Sequence, residues 1–138
     1  MIAEIMATGE EIRSGAVIDS NSAYIADRLV ENGIAVSRHI CVGDDLDLLI
    51  DVFKEIGDRA DIAIVTGGLG PTSDDLTAEA AARAAGATLE LNPSALQSVE
   101  NFFNARQRTM NAASRKQAFL PAGAECLQNP AWTGPGLR

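Results

Sequence analysis

The chain has 138 residues, 46% of them hydrophobic and 22% charged, a composition that fits one globular domain and excludes an intrinsically disordered chain. Its two cysteines, Cys41 and Cys126, lie far apart, which excludes a disulfide scaffold and a zinc ribbon and fits the reducing cytoplasm. The formal charge of −8 argues against general nucleic-acid binding, and without long apolar runs or a signal-peptide pattern we expect a cytoplasmic protein with no membrane span.

Strands and helices are predicted to alternate in the first half of the chain. Short apolar runs indicate strands, and apolar residues at three- and four-residue spacing indicate helices. The helices begin after polar capping residues and end near glycines, as at Asn32-Gly33. The predicted elements are a strand over 2–7, a loop over 10–19, a helix capped by Asp19, Ser20 or Asn21, a strand over 34–42, a helix capped by Asp44 or Asp45 and ended by Gly57, and a strand over 61–66.

The second half continues this alternation and ends in a turn-rich tail. Asn92-Pro93 is typical of a helix start, since asparagine caps well and proline is favoured at the first helical position. The predicted elements are a helix over 76–85, a strand over 87–91, a helix from Pro93, a short helix capped by Asn111 or Ser114, and a Pro- and Gly-rich tail from Asn129 to Gly136. The order predicts an α/β fold with a mainly parallel sheet and helices on both faces. Residues 1–138 are expected to form a single domain that is cut short at its C-terminus.

The glycine-rich segment after the strand over 61–66 is the most informative stretch for function. Gly67, Gly68 and Gly70 let the backbone approach a ligand closely, and the helix that follows offers N–H groups that suit phosphate. In open α/β sheets, ligands bind beyond the carboxyl ends of strands. The segment matches neither the Walker A loop nor the dinucleotide-binding pattern, and a tight turn without a ligand is the alternative.

Acidic residues stand directly beside this glycine segment. Asp74 and Asp75 would repel a phosphate unless a cation such as Mg²⁺, which binds carboxylates and phosphate oxygens together, lies between them. Thr72, Ser73 and Thr77 add hydroxyl groups. The segment therefore indicates phosphate with a divalent metal, although one of the two aspartates can instead cap the next helix.

A similar acidic turn, Asp44 and Asp45, follows the strand over 34–42, and capping is again the alternative. Glu10 and Glu11 follow the first strand. If these strand ends lie side by side in one parallel sheet, their carboxylates surround one crevice, which a metal ion or a cationic substrate would stabilise.

Basic residues are concentrated late in the chain. Residues 1–91 carry 17 Asp and Glu against 6 Lys and Arg, whereas residues 92–138 carry 2 against 5. Arg115 and Lys116 are candidates to neutralise phosphate or charge that develops in a transition state, with a solvated basic face as the alternative. Trp132, in the tail, either stacks on a base or packs against the protein.

Four segments match the pattern of one family in chain order, from Met1 to about Gly136. They are Ala7-Thr8-Gly9-Glu10-Glu11 with Gly15 and Asp19-Ser20-Asn21, then Val42-Gly43-Asp44-Asp45, then Thr66-Gly67-Gly68-Leu69-Gly70-Pro71-Thr72-Ser73-Asp74-Asp75-Leu76-Thr77, and finally Asn111 with Ser114-Arg115-Lys116-Gln117-Ala118 and Leu120-Pro121. Together they resemble the molybdopterin-binding (MoaB/MogA-like) fold, in the form of the CinA N-terminal domain, also called competence/damage-inducible protein A.

The resemblance implies a three-layer α/β/α domain and a cytoplasmic bacterial protein. In CinA-like proteins this domain is described as a metal-dependent ADP-ribose pyrophosphatase, often fused to a C-terminal nicotinamide-nucleotide amidase domain that these residues do not include. In the MoaB/MogA branch the same crevice binds molybdopterin and, in some members, adenylylates it. We therefore predict hydrolysis of ADP-ribose to AMP and ribose 5-phosphate, with a molybdopterin-binding or -adenylylating protein, or a non-catalytic binding module, as alternatives.

The resemblance also implies cofactors, partners and site residues. The expected cofactor is a divalent metal ion (Mg²⁺, Mn²⁺ or Co²⁺), with potassium as a second ion, and the expected partners are a nucleotide or pterin and further copies of the chain in a homo-oligomer. Trp132 departs from the family pattern, because it stands where the family has a glycine, and we expect it to reshape the mouth of the pocket. The predicted catalytic residues are Asp44, Asp75 and Lys116, the phosphate- or substrate-binding residues are Gly67, Gly68, Gly70, Thr72, Ser73, Asn21, Arg115 and Thr133, and the metal ligands are Asp44, Asp75 and Glu10.

Overall fold

A computed structural model describes every residue from Met1 to Arg138, and these residues form a first unit, Met1–Gly68, and a second unit, Leu69–Arg138. None of the helices is long and apolar enough to cross a membrane. The first unit consists of β1 (Ile2–Thr8), α1 (Glu10–Arg13), α2 (Ser20–Glu31), β2 (Ala35–Val42), α3 (Leu46–Arg59) and β3 (Ile62–Thr66).

A parallel three-stranded sheet in the order β2-β1-β3 organises the first unit. The central strand β1 is buried from Ala3 to Thr8, because neighbouring strands flank it and helices cover it, and this explains its nearly continuous apolar sequence. Ile5 of β1 and Leu49 and Ile56 of α3 are among the fully buried side chains of the first unit. Thr8 pairs with Val42 and Ala7 with Thr66, so the three strands end at one edge of the sheet.

One charged residue, Glu4, is buried in β1 with only 1% of its surface exposed. Arg59, at the end of α3, donates from Nε and Nη2 to the two carboxylate oxygens at 2.7 and 3.0 Å. Arg38 lies farther away, with its Nε 3.8 Å from Oε1. The hydrogen bonds from Arg59 are the main reason why the pKa of Glu4 lies below its usual 4.5 despite burial.

Short antiparallel ladders and helices make up the second unit. β4 pairs with β5, and β6 pairs with β7, while Ala95, Ala118 and Leu120 form a small buried cluster. The elements are α4 (Thr77–Ala84), β4 (Leu89–Leu91), α5 (Pro93–Asn104), α6 (Ala112–Arg115), a 3-10 turn (Lys116–Ala118), β5 (Phe119–Pro121), β6 (Cys126–Leu127) and β7 (Gly136–Leu137).

The structure confirms the α/β alternation and corrects several boundaries. Residues 10–19, predicted as a loop, begin with the helix α1. The strands β5, β6 and β7 were not predicted, because strands of two or three residues are too short to show a periodic pattern. Lys116 follows the predicted short helix in a 3-10 turn.

Four of the predicted caps accept a hydrogen bond from the first turn of their helix. In each pair a backbone N–H donates to the side-chain oxygen of the cap: Ser22 to Asp19, Leu48 to Asp45, Ala95 to Asn92, and Ser114 to Asn111. The choice between neighbouring candidates is thus settled in favour of Asp19, Asp45 and Asn111.

Replacing the cap of α5 is expected to destabilise the second unit. Asn92→Ala removes the acceptor of the 3.0 Å bond from the Ala95 N–H and should lower the free energy of unfolding by about 1 kcal/mol. Asn92→Asp keeps an acceptor and should retain most of this stability. Urea denaturation of the three proteins tests the expectation, and an equal loss in both variants would show that the cap is not the cause.

Candidate functional site

The first unit has an acidic turn, Asp44 and Asp45, after β2, and Glu10 and Arg13 of α1 lie beside it. The backbone N–H of Glu10 donates to Oδ2 of Asp44 at 3.3 Å, and this bond ties the start of α1 to the turn after β2. The Glu10 carboxylate is itself paired with Arg13, whose Nε donates to Oε2 at 2.8 Å. Hydrogen bonding to Arg13 holds the pKa of Glu10 below its usual value. A cavity of about 510 Å³ opens here, lined by Glu10, Arg13, Gly43, Asp44, Asp45 and Leu48.

The two aspartates of this turn have different roles. Asp45 accepts from the Leu48 N–H at 2.9 Å and caps α3, which is the structural alternative stated above. Asp44 caps no helix; its Oδ2 accepts the Glu10 N–H, and its carboxylate lines the cavity. Gly43 packs against the end of the Glu10 side chain, because a Cβ there would lie 2.6 Å from Oε2 and would displace this carboxylate.

The backbone conformation and close packing at the end of β3 explain why glycines stand there. Gly67 and Gly68 adopt positive φ angles of 95° and 65°. A Cβ on Gly67 would collide with the carbonyl oxygen of Thr8 on the neighbouring strand. The tight turn proposed as the alternative is therefore present at this point, whatever ligand the segment binds.

Asp75 closes a turn in the second unit. Its Oδ2 accepts from the Thr72 N–H at 2.9 Å and from the Thr72 hydroxyl at 2.6 Å. Gly70 packs against this carboxylate so closely that a side chain there would displace it. The expected capping of α4 by Asp74 or Asp75 is wrong, because the N-cap position is Leu76 and no side chain bonds there.

Lys116 lies across the same turn. Its ammonium group donates to the carbonyl oxygen of Thr72 and, at 2.6 Å, to that of Asp75. Hydrogen bonding from Thr72 lowers the pKa of Asp74, and the positive charge of Lys116 lowers it further. The structure thus brings Lys116 onto the turn of Thr72 and Asp75, although it lies more than forty positions after either residue in the sequence.

One residue beside this turn was missed by the sequence reasoning. Gln117 is buried, and its Nε2 donates to the carbonyl oxygen of Leu69 at 3.1 Å. Its Oε1 is buried without a hydrogen-bond partner. Gly134 packs against the same two groups, since a Cβ there would lie 2.6 Å from the Leu69 oxygen and 2.7 Å from Nε2. The only sequence signal was its place next to Lys116 in the Arg-Lys-Gln run.

The remaining predicted residues are placed as follows. Asn21 is exposed in the first turn of α2, Ser73 is exposed within the Thr72–Asp75 turn, and Arg115 is exposed at the end of α6. Thr133 is half-buried, in the loop that also holds Trp132. The side chains of the chain form no group of three or more His, Cys, Asp and Glu arranged to hold a metal ion.

A family model and sequence relatives place this chain in the same family. The pattern of a family described as a probable molybdopterin binding domain matches residues 4–136. A CinA-like protein of Desulfosudis oleivorans is 53% identical over 137 residues, which are 99% of this chain and 33% of the relative. A CinA-like protein of Citrifermentans bemidjiense is 47% identical over 96% of this chain and 32% of its own length. The chain therefore spans about a third of the length of these relatives.

Solved structures agree with these sequence relatives. The crystal structure of CinA from Thermoplasma acidophilum, described as a protein of unknown function, matches with a TM-score of 0.92 and 31% identity over 99% of this chain and 80% of that one. The molybdopterin biosynthesis enzyme MoaB of Thermus thermophilus matches with a TM-score of 0.57 at 18% identity, over 87% of this chain and 78% of that one, a likeness of fold alone. The predicted fold class is confirmed.

Proposed function

The chain belongs to the probable molybdopterin binding domain family and to its CinA-like members, and on that premise we propose that it hydrolyses the pyrophosphate bond of a nucleotide. ADP-ribose is the proposed substrate, which water splits into AMP and ribose 5-phosphate. The observation that carries the proposal is the position of Lys116, whose ammonium group is held on two carbonyl oxygens of the turn after the glycine segment.

Lys116 is suited to bind phosphate in this position. An ammonium group has three N–H donors, and two of them are used by Thr72 and Asp75, so that one remains for a phosphate oxygen. Its two partners within the protein are neutral carbonyl groups. The ammonium group therefore keeps its positive charge, because no carboxylate is paired with it. Gly70 has no side chain, and this leaves the space that the Asp75 carboxylate of the same turn occupies. Thr72 supports the turn from within, since its N–H and hydroxyl both bind Asp75.

The carboxylates differ in their fitness for a divalent metal ion. Oδ2 of Asp44 accepts from the Glu10 N–H, and Oδ2 of Asp75 accepts from Thr72. Each of these carboxylates, taken by itself, is a suitable ligand for Mg²⁺, an ion that a single carboxylate can hold together with phosphate and water. Glu10 is less suited, because Arg13 holds both of its oxygens. When bound, such an ion supplies Lewis-acid activation of the phosphoryl group and of water. Mg²⁺, Mn²⁺ and Co²⁺ remain the proposed cofactors, and potassium remains a proposed second ion.

Removing the charge of Asp44 is expected to reduce hydrolysis far more than removing that of Asp45. Asp44→Asn should lower the rate of ADP-ribose cleavage by about 100-fold, the order of magnitude seen when one electrostatic contribution is removed. Asp45→Asn keeps a capping oxygen on α3 and should retain activity. The measurement is the release of AMP from ADP-ribose with each of the three metals. If the unaltered, folded chain releases no AMP with any of them, the hydrolase proposal is wrong.

A second candidate function, molybdopterin binding without hydrolysis, is favoured by the family description. The buried, unpartnered Oε1 of Gln117 beside the glycine segment supports it, because an amino or amide N–H of a pterin could donate to that oxygen. Titration with molybdopterin and with ADP-ribose separates the candidates. Saturable pterin binding without turnover of ADP-ribose would favour the second candidate.

We also propose that the protein acts in the cytoplasm and that it forms a homo-oligomer. Because the chain spans about a third of its curated relatives, a C-terminal amidase domain in the whole protein is also a proposal.

A further inference from the structure

A second cavity lies in the second unit and shares no residue with the turn that Lys116 crosses. Its volume is about 370 Å³, and α5 forms one wall while the segment after β6 forms the other. The residues that matter for its chemistry are Ser98, Asn101, Phe102, Arg106, Gln128 and Asn129. No acidic side chain lines it, although the whole chain has a net charge of −8.

Arg106 is the charged group of this cavity, and it is held in place without an acidic partner. Its guanidinium carbon lies 3.5 Å from the centre of the Phe102 ring, and its Nη1 donates to the Phe102 carbonyl oxygen at 3.1 Å. Stacking and one hydrogen bond fix the planar group, yet they use only one of its five N–H donors. The guanidinium keeps its full positive charge, because no carboxylate pairs with it. Its remaining N–H groups can therefore donate to a ligand.

The amide side chains of the cavity also present donors. The oxygen of Asn101 accepts from Gln97 at 2.9 Å, and the oxygen of Gln128 accepts from the Ser98 hydroxyl at 3.3 Å. Because each amide oxygen already accepts one hydrogen bond within the protein, these bonds orient the two side chains and leave the NH₂ groups of Asn101 and Gln128 as donors for a ligand. A guanidinium and two amide NH₂ groups, with no acid, are complementary to an anion.

We propose that this cavity binds a small molecule through its phosphate or carboxylate group. Such a site is independent of the hydrolase proposal, since none of its residues belongs to the proposed catalytic machinery. Asn129, at its edge, accepts from the backbone N–H of Ala131 and Trp132 and donates to the Gly134 oxygen. Trp132, the single tryptophan and 73% exposed, therefore lies on a loop fixed by a residue of the cavity, and we expect its fluorescence to respond when a ligand binds there.

Titration of the metal-free chain with inorganic phosphate and, separately, with malonate tests the proposal at constant ionic strength. Binding is followed by backbone amide shifts in NMR spectra and by Trp132 fluorescence. Arg106→Gln should weaken binding by tenfold or more, as expected for the loss of a charge-assisted donor. Arg108→Gln is the matched control, because it removes the same charge from an exposed residue outside the cavity and should leave the affinity within about twofold.

The two probes separate the two sources of the anion. Tighter binding of phosphate indicates a phosphorylated ligand, and tighter binding of malonate indicates a carboxylated one. Either result supports the proposal if the backbone amide shift changes map to residues 98–106 and 128–132. The proposal is overturned if neither probe saturates, if Arg106→Gln and Arg108→Gln have equal effects, or if the shifts map only to residues 70–75. Failure of ADP-ribose hydrolysis has no bearing on these outcomes.

Discussion

Arg59→Met should destabilise the first unit by about 3 kcal/mol or more, because it leaves the buried carboxylate of Glu4 without its main partner. Glu4 is only 1% exposed and accepts both strong hydrogen bonds from Arg59, while Arg38 is 3.8 Å away and largely exposed. Methionine fills part of the space of the arginine stem and supplies no charge. Hydrogen exchange of the β1 amides, which reports on this unit directly, should become markedly faster.

An exposed ion pair provides the matched control for this variant. Arg28 pairs with Glu31 at 2.7 Å, but both side chains are more than half exposed, so Arg28→Met should change stability little. If Arg28→Met and Arg59→Met have the same effect on β1 exchange, the burial of Glu4 does not determine the stability of the unit.

The pH dependence of stability follows from the same pair. The pKa of Glu4 is lowered in the folded protein, relative to 4.5, mainly by hydrogen bonding to Arg59. The pair therefore stabilises the protein fully above about pH 4.5, and this contribution is lost as the pH falls through the lowered pKa. In Arg59→Met the carboxyl is buried without that partner, which raises its pKa, so the difference between variant and original chain should shrink on acidification. Urea denaturation at pH 7 and pH 4 measures both effects.

Lys116→Met should reduce ADP-ribose hydrolysis by about 100-fold while leaving the fold intact. The ammonium group is lost from the turn, and with it the donor that we assign to the phosphate. Because the side chain is exposed and bonds only to two carbonyl oxygens, the free energy of unfolding should change by no more than about 1 kcal/mol. AMP release and urea denaturation on the same preparations separate the two effects.

Two further substitutions test whether the geometry and the position of the Lys116 charge matter. Lys116→Arg keeps the charge but not the compact geometry of the ammonium group, and should recover only part of the activity. Arg108→Met removes an exposed positive charge from elsewhere in the second unit and should retain full activity. A loss of activity in Arg108→Met equal to that in Lys116→Met would mean that net charge, and not the position of Lys116, governs the reaction.

Local sequence features were enough to predict the larger elements. The apolar run of β1, the strand at 62–66 and the caps before α2, α3 and α5 depend on neighbouring residues, and the structure confirms them. Sequence alone could not choose between Asp44 and Asp45, since either can cap a helix. The choice depends on which carboxylate meets the Leu48 N–H once the turn has folded, and this is Asp45.

The sequence by itself determined the alternation of strands and helices, the family, and the presence of glycine and acidic residues at the strand ends. Only the tertiary structure decided that Glu4 is buried against Arg59, that Lys116 binds the carbonyl groups of the Thr72–Asp75 turn, and that Gln117 holds Leu69. The physical reason is that each of these bonds joins residues more than forty positions apart, and such pairs form only when packing brings distant elements together.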